Sequence, residues 1–207
     1  MRIGIFDSGL GGRFVAAKLR RLMPEHHYTV IDDLDHAPYG TKTYDEITRL
    51  TETAIQPLLD CDVIVIACNT ATTAAIETLR LKYPDRVFVG FEPMIRPAAD
   101  CSTNRHITLL ATSATARAPR TKTLIEQYAA DIRIDMPDTS GWATAIDAGK
   151  ADDIDLRDVV QSVAQGSDVI IIGCTHYIAL QPRLEQLSRI VLEPTEAVAR
   201  QINQQAL

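Results

Sequence analysis

The sequence predicts an α/β protein made of two pseudo-symmetric parallel-sheet domains that face each other across an active-site cleft. Three observations predict it. Short aliphatic runs alternate with longer helix-like stretches, the pattern of βα units feeding a mainly parallel sheet. The 207 residues suit two small domains of about 100 residues each. The third is an internal echo: Asp62–Thr70 (DVIVIACNT) resembles Asp168–His176 (DVIIIGCTH), and Ile3–Gly9 (IGIFDSG) resembles Ile107–Ser113 (ITLLATS). The offsets are 106 and 104 residues. Either pair alone is weak, because aliphatic runs match by chance, but two pairs at nearly one offset read as two copies of one unit.

In chain order, Ile3 to Phe6, Tyr28 to Ile31, Val63 to Ala67 and Val87 to Gly90 are the strands of the first copy. Ile107 to Ala111, Ile132 to Ile134, Val169 to Ile172 and Ile190 to Leu192 are those of the second. Apolar residues recurring at helical spacing place helices over Arg13 to Leu22, Tyr44 to Leu59, Thr72 to Lys82, Pro119 to Ala130, Leu156 to Gln165 and Ala179 to Leu187. Pro24, Pro84 and Gly166 punctuate helix ends. Pro93 to Pro97, with two prolines, is expected to break regular structure and to mark the boundary. The predicted domains are residues 1–91 with a C-terminal return over 191–207, and residues 92–190.

Composition narrows the function classes. Hydrophobic residues are 46% and charged residues 23%, so a sizeable core is available. A net charge of −6 with scattered basic residues gives no reason to expect a nucleic acid or an acidic membrane as partner. No apolar run approaches the roughly 18 residues of a membrane span. The start, MRIGIFD, is too short in apolar residues for a secretory signal and reads as a first strand. The four cysteines form no CxxC pair, and a chain of this length does not need disulfide staples, which points to a reducing cytoplasm.

Cys68 and Cys174 each follow an aliphatic strand at its carboxyl end, the edge where open α/β sheets bind ligands. Two similar acid–base groups suit the inversion of a stereocentre, where one removes a proton from carbon and the other returns one on the opposite face. Thiols are readily tuned toward working pH, and the carbanion needs preorganised donors. Asn69, Thr70 and Thr175 could supply them at helix N-termini. Free cysteine is among the most buried residue types, and a purely structural reading suits Cys61 and Cys101, which lack a polar motif. A metal site built on Cys68, Cys174 and His176 lacks the ligand spacing of zinc centres. Covalent catalysis by a Cys/His pair leaves the second strand-end cysteine unexplained. Asp7 reads equally as a helix cap or as a catalytic carboxylate, and His176 as a core histidine or a proton carrier at neutral pH. Ser8 to Gly12 (SGLGG) lacks the lysine of a phosphate loop; its small residues let backbone N–H groups approach a carboxylate. Tyr39 could simply pack, while Pro38 and Gly40 mark a tight turn.

The motifs Asp7–Gly12 (DSGLGG), Pro38–Gly40 (PYG), Ala67–Ala71 (ACNTA) and Gly173–Tyr177 (GCTHY) together resemble the glutamate racemases of the aspartate/glutamate racemase superfamily, in that family's order and at about its spacing. The resemblance runs from Ile3 to about Gln201. It implies interconversion of L- and D-glutamate without pyridoxal phosphate or metal, in the cytoplasm, supplying D-glutamate for peptidoglycan and hence cell-wall synthesis and cell shape. No cofactor is implied, the partner is the small-molecule substrate, and a homodimer is left open. By the same resemblance Cys68 and Cys174 match the catalytic thiols and Asp7 and His176 the groups that assist them. Ser8, Pro38, Tyr39, Gly40, Asn69, Thr70, Thr115 and Thr175 match substrate-binding positions, and Asp147 matches an assisting acid. An aspartate or broader acidic amino-acid racemase is the nearest alternative; a non-catalytic amino-acid-binding homologue is the alternative of another class. Four departures stand out. His36 replaces the family's usual arginine, Ala118 and Thr121 replace a serine and a tyrosine, and Asp147 replaces a glutamate. The sequence also stops where members usually add a further strand and helix, which is expected to leave the first sheet's edge or packing less complete.

Overall fold

A computed structural model describes residues 1–205. The chain divides into two compact units, one of Met1–Glu92 with the segment from Pro194 onward, the other of Pro93–Glu193.

The first unit runs β1 (Arg2–Asp7), α1 (Gly11–Leu22), β2 (His27–Asp32), α2 (Tyr44–Ala54), β3 (Val63–Ile66), α3 (Asn69–Lys82) and β4 (Val87–Gly90). Its four strands are all parallel, in the order β2-β1-β3-β4. All four residues of β3 are buried, as expected of a strand covered on both faces. Phe6, Ile47, Leu50, Ile64, Ile66, Ala75 and Leu79 share one core cluster under α2 and α3, each large side chain contributing roughly 1.5–3 kcal/mol by leaving water. Thr43 caps α2 by accepting the Glu46 N–H, and Asp45 and Glu46 complement the positive end of the helix. The helix expected over Tyr44 to Leu59 is interrupted, α2 ending at Ala54 before a short 3-10 turn over Gln56–Leu58. Pro57 supplies the reason, since it has no N–H to donate and its ring crowds the carbonyl four residues back.

The second unit contributes α4 (Ile95–Cys101), β5 (His106–Leu110), α5 (Ser113–Arg117), α6 (Pro119–Tyr128), β6 (Arg133–Asp135), α7 (Trp142–Asp147), α8 (Arg157–Ala164), β7 (Val169–Ile172), a 3-10 segment (Thr175–Leu180), α9 (Gln181–Leu184) and β8 (Ile190–Leu192). The strand order is β6-β5-β7-β8, again parallel, the same topology as the first sheet. Register agrees as well: Ile3 lies opposite Val63, and Ile107 opposite Val169. These are the residues that the sequence echo aligns, so the repeat is one of strand pairing as well as of letters. The chain then returns as α10 (Thr195–Gln204) against α1 of the first unit, burying Val198, Ala199 and Ile202.

Two further expectations need correction. Pro93 to Pro97 does not break regular structure, because α4 begins at Ile95 and carries Pro97 in its first turn, where the missing N–H would have had no intrahelical partner. The helix expected over Ala179 to Leu187 is a 3-10 segment followed by one short α turn. Helices α5, α7 and α10 were not anticipated; the first two, of 5 and 6 residues, are too short to display a period.

Acidic residues tie strand starts together. Asp62, just before β3, accepts the Arg2 N–H at 2.7 Å. Its counterpart Asp168, just before β7, accepts from Ser102 Oγ (2.6 Å), Thr103 N (2.7 Å), Thr103 Oγ1 (2.8 Å) and Asn104 N (2.9 Å). Among the described residues no helix is long and apolar enough to cross a membrane.

Candidate active site

In the first unit the site grows from the carboxyl ends of β1 and β3. Asp7 closes β1 fully buried; its carboxylate accepts the Gly9 N–H at 2.9 Å and its carbonyl accepts the Asp33 N–H at 3.0 Å. Helix α1 then starts at Gly11, two residues earlier than the periodicity suggests. Gly12 explains this. A Cβ there would lie 2.6 Å from Asp7 Cβ, so only glycine lets the helix start beside the carboxylate.

Cys68 follows β3 by two residues and serves as the N-cap of α3, its sulfur accepting the Ala71 N–H at 3.4 Å. That is why α3 begins at Asn69 rather than Thr72. Ser8 Oγ lies 3.0 Å from the same sulfur. Burial pushes the Cys68 thiol up to about 11, and the negative charge of Asp7 adds to the rise. Hydrogen bonds from the Ser8 side chain and from the Ala71 and Ser8 amides pull the other way. Asn69 is 3% exposed, yet neither polar atom of its amide has a partner. Buried amides are nearly always satisfied, so this one has a donor and an acceptor open to a ligand. Thr70, next in sequence, is buried too, as is Ser8 in the turn after β1. Tyr39 also packs, as the plain reading of an aromatic would have it, with its ring 6.2 Å from that of Phe6 and in one core cluster with Cys68. Pro38 and Gly40 flank it in a 3-10 turn over Tyr39–Thr41.

In the second unit Cys174 follows β7 by two residues, extended and buried, ahead of the 3-10 segment. Its sulfur lies 3.8 Å from His176 Nδ1. His176 Nε2 is 3.2 Å from Asp147 Oδ1, close enough for an ion pair but not aligned as a hydrogen bond. Asp147 is the last residue of α7, so its shorter side chain reaches the imidazole by distance and not by direction. Thr175 is buried next to Cys174. Thr115 is fully buried, donating its N–H to Thr112 Oγ1 at 3.2 Å and accepting from that hydroxyl at 3.1 Å. Ala118 stands at the N-cap of α6 with no side chain to cap it, and Thr121 is fully buried with an unpartnered hydroxyl.

The structure therefore gathers Asp7, Ser8, Cys68, Asn69 and Tyr39 in one unit, and Cys174, His176 and Asp147 in the other. Sequence reasoning missed Asp33, whose side chain accepts from the Tyr39 hydroxyl at 2.7 Å and meets His36 Nδ1 at 2.7 Å. Its spacing, three residues before His36 and six before Tyr39, was the available signal.

Each unit thus ends an inner strand at a buried cysteine with a polar partner. The chain matches the model of the Asp/Glu/Hydantoin racemase family over residues 13–202. It belongs to that family. Its glutamate racemase relatives make it an amino-acid racemase. The glutamate racemase of Ectopseudomonas mendocina is 35% identical over 97% of this chain and 80% of its own length. That of Pseudomonas aeruginosa PAO1 is 34% identical over 97% and 79%. The fold agrees with the α/β expectation. Escherichia coli glutamate racemase, solved with L-glutamate and the activator UDP-MurNAc-ala, superposes with a TM-score of 0.85 at 30% identity, covering 98% of this chain and 81% of that one. The Aquifex pyrophilus glutamate racemase gives 0.73 at 27%, covering 99% and 83%.

For this family member Gly12→Ala is an early test of the site's construction. The added methyl must displace buried Asp7, with a cost of about 1–3 kcal/mol from overpacking and a fall in racemase turnover larger than that loss of folded protein explains. Turnover per folded molecule, read by circular dichroism beside a urea titration, checks it.

Proposed function

We propose that the chain interconverts L- and D-glutamate by two-base 1,1-proton transfer, without pyridoxal phosphate or metal, and supplies D-glutamate for peptidoglycan in the cytoplasm. The observation that carries the reading is the repeated strand-end cysteine, Cys68 beside Ser8 at 3.0 Å and Cys174 beside His176 at 3.8 Å. The named relatives are glutamate racemases, which supports glutamate over other acids.

In this reading one sulfur, as thiolate, takes the α-proton while the other, as thiol, delivers a proton to the opposite face; the reverse reaction exchanges the roles. Each turnover leaves the thiol and thiolate swapped, and a proton passing between the sites restores the start. With its thiol pushed up to about 11, Cys68 stands as the protonated partner at neutral pH. His176 takes the proton of Cys174, and Asp147 steadies the imidazolium that results. Asp7 serves Cys68 from within the first unit. Ser8, Pro38, Tyr39, Gly40, Asn69, Thr70, Thr115 and Thr175 bind the substrate, Asn69 offering a donor and an acceptor that nothing else occupies.

The test is turnover of L-Glu, D-Glu, L-Asp and D-Asp in buffer containing a chelator and no cofactor. Racemisation of both glutamate enantiomers with aspartate far slower is expected. Aspartate turned over as well as glutamate would move the assignment to a broader acidic amino-acid racemase. Glutamate binding with no deuterium uptake from heavy water would leave a binding protein instead.

A further inference from the structure

We infer that Asp33 is a positioning residue for the substrate, anchoring the Pro38–Gly40 turn through Tyr39 and sharing its carboxylate with His36. The inference rests on the glutamate racemase reading and adds a residue that the site motifs do not contain. Asp33 follows β2, and its N–H donates to the carbonyl of Asp7 at 3.0 Å, fixing its backbone to the end of the central strand. Its side chain is 12% exposed. Oδ2 accepts the Tyr39 hydroxyl at 2.7 Å, and Oδ1 meets His36 Nδ1 at 2.7 Å.

Two consequences follow from this geometry. The Tyr39 hydroxyl is committed to Asp33, so it is not the group that greets a ligand. The Tyr39 side chain instead acts as a peg, leaving its backbone to meet the substrate: its ring lies against Phe6 in the cluster that holds Cys68, and its hydroxyl ties the turn to Asp33. The first N–H groups of a 3-10 turn have no partner within it, and those of Tyr39–Thr41 are held where Asp33 sets them. Asp33 also brings a negative charge near a site for a doubly acidic substrate. His36 and the Tyr39 hydroxyl occupy both carboxylate oxygens, which keeps that charge from facing the ligand. His36 is half exposed and makes its contact only with this carboxylate among the hydrogen bonds of the turn. Neighbouring Asp32 is held separately by Arg13 at 2.6 Å, so of these two carboxylates it is Asp33 that ties to the turn.

The test uses the full-length enzyme with Asp33→Asn, Tyr39→Phe and the double variant. Each single change is expected to raise KM for glutamate about tenfold while kcat stays within about threefold, because substrate placement and not proton transfer is disturbed. The double variant should be no worse than either single one, since both remove the same link. His36→Ala should raise KM about threefold, with His36→Arg restoring it through a guanidinium that pairs with Asp33. Additive effects, a fall in kcat at unchanged KM, or wild-type KM in Asp33→Asn would each overturn the inference. If the wild-type protein turns over neither acid, the catalytic reading fails. The anchor is then read from the Tyr39 phenol, which burial, followed by the hydrogen bond to Asp33, pushes above the usual tyrosine range. Its ultraviolet titration, taken as wild type minus Tyr39→Phe, should move down in Asp33→Asn, and no movement would overturn the positioning role independently.

Discussion

Replacing Cys68 or Cys174 with alanine should each abolish racemisation, lowering kcat by about a thousandfold or more, near the upper range that a single acid or base contributes. A single remaining thiol can serve one face of the α-carbon only, so inversion stops in both directions. Exchange of the α-proton with deuterium in heavy water should also fall strongly in both variants, because each lacks half of the relay. Cys61→Ala and Cys101→Ala are the controls and should stay within about threefold of wild type; both residues are half-buried, and neither follows a strand at its carboxyl end. Circular dichroism follows racemisation and mass spectrometry the deuterium. Full activity in either Cys68→Ala or Cys174→Ala would refute the two-thiol assignment.

The second large effect is on stability. Asp168→Ala should cost about 2–4 kcal/mol, since it strips the acceptor from four donors leading into β5. Asp62→Ala, with a single backbone bond and a long ion pair to Arg2 at 3.8 Å, should cost about 1 kcal/mol. The same contacts give a pH signature. Partial burial alone would raise the Asp168 carboxyl, but bonds from Ser102, Asn104 and Thr103 outweigh it and hold the group below the usual carboxylate range. A folded pKa below the unfolded one, about 3.9, contributes stability above that value and loses it as pH falls through the folded pKa. Urea unfolding should therefore show the gap between wild type and Asp168→Ala at pH 7 and a smaller gap at pH 3. An equal gap at both would show that the charge of Asp168 contributes nothing.

Much of the site's skeleton was legible because it obeys local rules. Strand-end cysteines followed by polar residues, a small-residue turn after Asp7 and a tight turn around Tyr39 each leave a mark in a few consecutive letters. Gly12 was read as permitting approach to a ligand carboxylate, whereas it also makes room for Asp7 itself, 2.6 Å from where its Cβ would stand. The alignment of His176 against Asp147 was not legible, because the two residues are 29 apart in sequence and meet only through the packing of α7 on the 3-10 segment. Asp33 was overlooked for a related reason: a carboxylate in a loop is ordinary until its partners are placed.

The sequence by itself determined the number and parallel sense of the strands, since short aliphatic runs are covered on both faces and βα alternation favours parallel pairing. It also determined the two-copy plan, because an offset shared by two motifs survives whatever the loops do. Tertiary structure alone decided where α2 breaks, how α4 absorbs Pro97, and which donors Asp33 and Asp168 collect. Those outcomes depend on contacts between residues distant in the chain, whose energies no local pattern encodes.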